Sequence, residues 1–177
     1  MRLFTGIAIP LHITARLVEV MDSVRSLPGL RFVAPEKLHL TTTFIGEWPE
    51  ARLDDMYRAL STVAVRGPIE VRLARLGWLP NPRFPRVLYA GVFSTDALQQ
   101  LAASTMQAVE TIGVKPDERR SYRPHITLGR VQGRQKLDAS PADEIGEIGT
   151  FMASSFFLYL SGGGKYTKLQ EFFLLDS

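Results

Sequence analysis

Hydrophobic residues recur along the chain at two spacings, and these spacings predict its secondary structure. Apolar residues at every second position indicate half-buried strands, and apolar residues three or four apart indicate amphipathic helices. Strands are expected at residues 3–9, 31–33, 38–45, 69–79, 86–93, 125–131, 148–160 and 165–175. Helices are expected at residues 12–26, 50–64 and 95–112, the third capped by Ser94, Thr95 or Asp96. Three helices are too few to cover a doubly wound parallel sheet, so the pattern favours an α+β fold.

The segments between these elements are expected to be loops. Residues 80–85 contain three prolines, which exclude a tight two-residue turn. Residues 115–124 form a polar, basic stretch, and residues 133–146 are expected to be a surface excursion. The run Gly162-Gly163-Gly164-Lys165 lacks the spacing and the strand-to-helix setting of a phosphate-binding loop, so a hairpin connection is favoured there.

Size and composition narrow the possible classes. A chain of 177 residues with 45% hydrophobic and 22% charged residues can bury one core, as one domain or as two closely packed lobes. The absence of cysteine excludes disulfides, thiolate metal sites and a cysteine nucleophile. No apolar run approaches the roughly 20 residues that span a bilayer, and the first residues do not resemble a signal peptide. We therefore expect a cytoplasmic protein without a membrane partner.

The basic residues are mainly arginines. The net charge is only +3, but 16 of the 21 basic residues are Arg, the side chain best shaped for bidentate phosphate contact. Genomic base composition is an alternative explanation for most of them. The charge permits a nucleic-acid partner without requiring one.

A short motif, His-x-Thr, occurs twice in strand-like surroundings. It appears as His39-Leu40-Thr41 and as His125-Ile126-Thr127. On a strand, residues two apart point to the same face, so each imidazole lies beside its threonine hydroxyl. Each motif follows a helix and a loop, which suggests a weak duplication with one motif in each half. Such a pair predicts a two-lobed site with one acid and one base.

The third histidine also has a threonine two residues later, but it is not expected to share this role. His12 and Thr14 lie at the start of a predicted helix, where positions two apart diverge by about 200 degrees. A metal site is not expected either. Two imidazoles need a third protein ligand to hold zinc, and no His-Glu-x-x-His motif or carboxylate cluster accompanies them.

The motifs and their flanks resemble the 2H phosphoesterase superfamily, and within it the RNA 2′,3′-cyclic phosphodiesterases, also called 2′-5′ RNA ligases. The resemblance covers almost the whole chain. It rests on the opening strand 2–9, Arg31-Phe32-Val33, the first motif with its tail 44–47, strand 85–89, the second motif from Pro124 to Arg130, and the terminal hairpin 163–166. One departure is Thr42, where the family usually has an apolar residue; we expect Thr42 to face away from the cleft.

The resemblance implies a bilobal LigT-like fold formed by residues 1–177 as a single domain. Two antiparallel sheets with outer helices, related by a pseudo-twofold axis, would enclose a central cleft. The family pattern makes His39 the proton donor and His125 the proton acceptor, with Thr41 and Thr127 binding the substrate. Arg130 is a further candidate phosphate contact, although simple alternation places it opposite His125 unless a bulge at Gly129 intervenes.

The chemistry expected of such a pair can be argued directly. Opening a cyclic phosphate requires activated water on one side of phosphorus and a protonated leaving oxygen on the other. Two imidazoles with pKa values near 6.5 can hold opposite protonation states near neutral pH. The threonine hydroxyls would bind the nonbridging oxygens, so no metal or cofactor is required. The residues alone do not decide which histidine is the acid.

Two other interpretations remain. A 2H relative could act on small cyclic nucleotide phosphates or on 2′,5′-oligonucleotides, and the width of the cleft would decide. Alternatively, the protein could be a non-catalytic RNA-binding module, although binding alone does not need two intact His-x-Thr motifs. We expect the substrate to be RNA with a 2′,3′-cyclic phosphate end, and the product to be a 2′-phosphomonoester. Reversible 2′-5′ ligation is a possible second activity. The protein is expected to be a monomer.

Overall fold

The computed structural model describes residues 1–115, 121–133, 142 and 145–176. Most of the predicted excursion at 133–146 and the centre of the basic loop at 115–124 lie outside these ranges. The described helices are α1 (Leu11–Ser23), α2 (Leu53–Leu60) and α3 (Asp96–Glu110). The described strands are β1 (Arg2–Ala8), β2 (Leu30–Phe32), β3 (His39–Glu47), β4 (Ile69–Leu79), β5 (Val87–Val92), β6 (His125–Val131), β7 (Glu147–Ala153), β8 (Ser155–Gly162) and β9 (Lys165–Phe173).

The strands form two antiparallel sheets, which confirms the α+β prediction. The first sheet has the order β3-β1-β8-β9, and the second has the order β2-β6-β5-β4-β7. Buried side chains from both sheets and from the helices belong to one continuous hydrophobic cluster. None of the helices in the described ranges is long and apolar enough to cross a membrane.

The two sheets contain a repeated unit of strand, helix and strand. In the first unit β1 pairs with β3, and Ala8 lies opposite His39. In the second unit β5 pairs with β6, and Gly91 lies opposite His125. The helices that connect these strands cross over, since α1 packs against β7 of the second sheet and α3 against β3 of the first. The repeat agrees with the expected pseudo-twofold relation and links the two halves.

Two predicted elements are divided in the structure. The strand expected at 148–160 is two strands, β7 and β8, and they belong to different sheets. The buried positions Phe151 and Ala153 change parity before Phe156, and the exposed Ser154 marks the crossing. The helix expected at 50–64 is a 3₁₀ turn at Glu50–Arg52 followed by α2.

The predicted helix ends are partly confirmed. Helix α1 ends at Ser23, before the expected residue 26, because a series of turns leads from Val24 to the bend at Pro28. Helix α3 is capped by Thr95, whose hydroxyl accepts a hydrogen bond from the Leu98 amide at 3.3 Å. The glycine run forms a β-hairpin, with Gly163 and Gly164 in the left-handed region at φ 56° and 73°. Two successive positive φ values are typical of the turn that joins two antiparallel strands.

Candidate active site

The two His-x-Thr motifs lie on β3 and β6, and these strands meet at the edges of their sheets, where each has a neighbouring strand on one side only. β3 is an edge strand of the first sheet. β2 pairs with β6 only at residues 129–131, so the first half of β6, with His125 and Thr127, lies at the edge of the second sheet. β3 and β6 pack against each other there. The Tyr122 hydroxyl, just before the second motif, donates to the Thr41 carbonyl at 3.1 Å and ties the motifs together.

Both histidines are held by the same hydrogen bond. Nδ1 of His39 lies 2.7 Å from the carbonyl of Lys37, and Nδ1 of His125 lies 2.7 Å from the carbonyl of Arg123. A carbonyl oxygen only accepts, so each Nδ1 carries a hydrogen. Nε2 is then the ring nitrogen that can take up or release a proton. The basic residues before each motif therefore orient the imidazoles through their backbone, a function that the sequence did not reveal.

The environment of His39 disfavours its charged form. Burial lowers the pKa of His39 below the ordinary 6.5, the hydrogen bond to the Lys37 carbonyl opposes this effect, and charge on His125 lowers the pKa further. Burial therefore favours the neutral form of His39 at neutral pH.

The threonines of the motifs differ from those in the core. Buried threonines are hydrogen-bonded: Thr5 contacts Thr42 at 2.8 Å, and Thr43 contacts Thr105 at 2.6 Å. The side chains of Thr41 and Thr127 are half-buried, and neither hydroxyl has a hydrogen-bond partner within the described ranges. Two hydroxyls are thus available beside the two imidazoles.

The expectation for Thr42 is explained by a bulge in β3. Thr41 lies opposite Gly6 and Thr43 lies opposite Thr5, so Thr42 is one extra residue. Its side chain is buried and bonded to Thr5, away from the motif face.

The same irregularity in β6 changes the position of Arg130. Thr127 lies opposite Tyr89 and Gly129 lies opposite Leu88, which makes Leu128 an extra residue. A bulge reverses the alternation beyond it, so Arg130 lies on the face of His125 and Thr127. Simple alternation is wrong here, and the required bulge is present next to Gly129. Arg130 is exposed, as a phosphate contact would have to be.

Aromatic rings that the sequence analysis did not select surround His39. Phe4, Tyr166 and Tyr159 have ring centroids 4.7, 5.0 and 6.0 Å from its imidazole. Phe4 and Tyr159 stack at 4.9 Å, and burial raises the pKa of the Tyr159 hydroxyl. Tyr89 contacts His125 edge-on at 5.5 Å. These rings all lie across the strands from the histidines, on the same face of each sheet. They can be identified only when the strand register is known.

A cavity of about 680 Å³ opens beside His39. It is lined by the 3₁₀ turn at Pro35–Lys37, the end of β1, Tyr159, Tyr166 and Lys168. Its volume lies in the range typical of small-ligand sites. His12 is exposed on α1 and is not part of either motif strand, in agreement with the sequence analysis.

Comparison with known proteins places this geometry in a family. Residues 7–89 match the family model described as LigT like phosphoesterase. An RNA 2′,3′-cyclic phosphodiesterase of Archaeoglobus fulgidus is 31% identical over 75% of this chain and 73% of its own length. The chain belongs to the LigT-like phosphoesterases.

Further relatives support the same family. An RNA 2′,3′-cyclic phosphodiesterase of Thermus thermophilus is 36% identical over 73% of this chain and 68% of its own length. A crystal structure from Thermus thermophilus superposes with a TM-score of 0.84, at 31% identity, over 98% of both chains. The LigT-like fold expected from the resemblance is thereby confirmed.

Proposed function

We propose that this phosphoesterase hydrolyses the 2′,3′-cyclic phosphate ends of RNA to 2′-phosphomonoesters. The main supporting observation is the matched pair His39 and His125, each oriented through Nδ1 so that Nε2 can exchange a proton. A half-buried threonine hydroxyl accompanies each imidazole. The relatives described above as RNA 2′,3′-cyclic phosphodiesterases point to the substrate.

The proposed reaction is an in-line displacement at phosphorus. Nε2 of His125 accepts a proton from water as the water oxygen bonds to phosphorus. The bond from phosphorus to the 3′ oxygen breaks, and Nε2 of His39 donates its proton to that oxygen. Thr41 and Thr127 donate hydrogen bonds to the nonbridging oxygens, where charge accumulates, and Arg130 adds a positive charge. No step uses a metal ion or a cofactor.

The proposed donor must be protonated before it can act. Burial lowers the pKa of His39, so its charged form is a minority species near pH 7 before the substrate binds. The anionic cyclic phosphate stabilises an imidazolium beside it and restores the proton on binding. A 5′-hydroxyl that attacks in place of water gives 2′-5′ ligation, with the same proton acceptor and donor. The two roles exchange only in the reverse reaction, in which the 3′-hydroxyl attacks the 2′-5′ diester, the 5′ oxygen leaves and the cyclic phosphate forms again.

The remaining expectations are part of the same proposal. We propose that residues 1–177 act as one bilobal domain, since each sheet supplies one motif. We also propose that the protein acts as a monomer in the cytoplasm.

The test is direct. Purified protein is incubated with a short RNA ending in a 2′,3′-cyclic phosphate, and the product phosphate is identified by mass and chromatography. A 2′-phosphomonoester is expected, at an unchanged rate in EDTA. A 3′-phosphomonoester would reverse the choice of leaving oxygen, and loss of turnover in EDTA with rescue by a divalent ion would contradict the metal-free mechanism. Retained binding without turnover would favour the RNA-binding alternative.

A further inference from the structure

Two arginines lie side by side on the second sheet next to the candidate site. Arg31 of β2 is directly opposite Arg130 of β6 in the strand register. Directly opposed residues project from the same face of a sheet, and the bulge at Leu128 makes this the face of His125 and Thr127. Both arginines are exposed. A substrate in the cleft could therefore meet both guanidinium groups.

This arrangement has no compensation from the protein within the described ranges. Like charges directly opposite each other destabilise a sheet. Neither Arg31 nor Arg130 has an ion pair, a side-chain hydrogen bond or a stacked ring among the described residues. Four arginines in the described ranges pair with carboxylates: Arg16, Arg25, Arg52 and Arg58. Two guanidinium groups without a carboxylate partner among the described residues, next to the His-x-Thr motif, suit a site for an anionic ligand.

The corresponding place on the first sheet is different. Phe44 and Arg130 each lie five residues after a motif histidine and just beyond the same bulge. The guanidinium carbon of Arg2 lies 5.0 Å from the centre of the Phe44 ring, so this arginine is stacked. The repeated geometry thus carries an unstacked pair of charges only on the second sheet. This asymmetry argues against a general structural need for arginine at that position.

We propose that Arg31 holds a second phosphate of the substrate, the 5′ phosphodiester of the terminal nucleotide. This inference rests on the proposed function. Arg130 lies on the same strand as Thr127 and serves the reacting phosphate, while Arg31 lies one strand spacing, about 4.8 Å, farther away. Arg31 then distinguishes the end of an RNA chain from a free cyclic mononucleotide, which has no second phosphate.

The experiment compares two substrates with two variants. The kcat/KM is measured for 2′,3′-cyclic AMP and for a diadenylate ending in a 2′,3′-cyclic phosphate, with the wild-type protein, Arg31→Gln and Arg58→Gln. Arg58 is the matched control, since it is an exposed arginine on α2 in an ion pair with Asp55. Arg31→Gln should lower kcat/KM for the diadenylate about tenfold, the effect of one charged hydrogen bond, and change that for 2′,3′-cyclic AMP less than twofold.

A second readout separates charge recognition from a folding defect. The fall in kcat/KM for the diadenylate with rising salt concentration should be shallower in Arg31→Gln than in the wild type, because one charged contact that salt screens is lost. Equal losses on both substrates, or no loss on either, would overturn the proposal. If the wild-type protein hydrolyses neither compound, the proposed function fails. The Arg31 subsite is then tested separately by measuring the affinities of wild type and Arg31→Gln for the two unreacted compounds. The proposal expects Arg31→Gln to weaken binding of the diadenylate only.

Discussion

On β3 and β6 the same local geometry occurs twice, but the two strands face different surroundings. In both, a histidine begins the strand, its Nδ1 bonds to the carbonyl two residues earlier, and a bulge follows the threonine. On the first sheet the neighbours are the rings of Phe4, Tyr159 and Tyr166. On the second sheet they include Arg130 and Arg31.

The repeated motif residues and their differing neighbours suit different tasks. The repeated histidine and threonine provide two equivalent sets of groups for a single phosphorus atom. The aromatic surroundings of His39 suit a nucleobase, because bases stack on aromatic side chains. The arginines beyond His125 suit phosphates. Under the proposed function, the duplicated strands would supply the reacting groups, and their different neighbours would set the direction of an RNA chain across the cleft.

Removing either motif histidine is expected to have the largest effect. We expect His39→Ala and His125→Ala each to lower kcat about 10²- to 10⁴-fold, because each imidazole supplies one proton transfer. The double variant should be little worse than either single one, since the two groups act as a unit. His12→Ala is the control and should retain wild-type kcat. A folded His12→Ala protein as inactive as His39→Ala would show that the wrong pair was selected.

A modified substrate tests the difference in role between the two histidines. The profile of rate against pH cannot assign the roles, because apparent pKa values from such a profile do not have to belong to individual residues. A 3′-thio cyclic phosphate has a leaving sulfur that does not need a proton. His39→Ala should regain much of its lost rate on this substrate, and His125→Ala should not. Preferential rescue of His125→Ala would mean that the donor and the acceptor are exchanged.

Much of the fold and of the candidate site follows from local sequence. The strand alternation and the helical spacing depend on nearest neighbours along the chain, and they place His39, Thr41, His125 and Thr127 correctly on strands. The sequence pattern predicts one strand over β7 and β8, because apolar residues continue on both sides of the two serines, whereas the two strands belong to different sheets. Ser154 and Ser155 were the available signal.

The rest of the site depends on strand register, which the sequence does not state. Arg31 and Tyr166 reach the motif face only through their partners on β6 and β8. Arg130 depends on a bulge at Leu128, and simple alternation gives the wrong face for it. Tyr122 joins the motifs through a hydrogen bond between residues 81 positions apart. Such pairings become visible only when the strands are aligned in space.

The aromatic side of the comparison is tested at Tyr166. Tyr166→Ala should raise KM about fivefold on a cyclic phosphate substrate, because stacking on a partly exposed ring contributes toward the low end of about 1–3 kcal/mol per base. Tyr166→Phe keeps the ring and should behave as the wild type does. Phe173→Ala is a matched control, since Phe173 is an exposed ring near the far end of β9. A change confined to kcat would show that Tyr166 acts through His39 rather than on the base.

The smallest expected effect is the pH dependence of stability that arises from His39. Its pKa lies below 6.5 in the folded protein because of burial, so below pH 6.5 the unfolded chain binds a proton there more readily than the native protein does. The contribution of a neutral His39 is therefore complete above pH 6.5 and is lost as the pH falls toward the lowered pKa. The free energy of unfolding in urea should favour wild type over His39→Gln more strongly at pH 7.5 than at pH 5. His12→Gln, at an exposed position on α1, is the control variant. A wild-type advantage that grows as the pH falls would mean that His39 is charged in the folded protein and that its surroundings favour that charge.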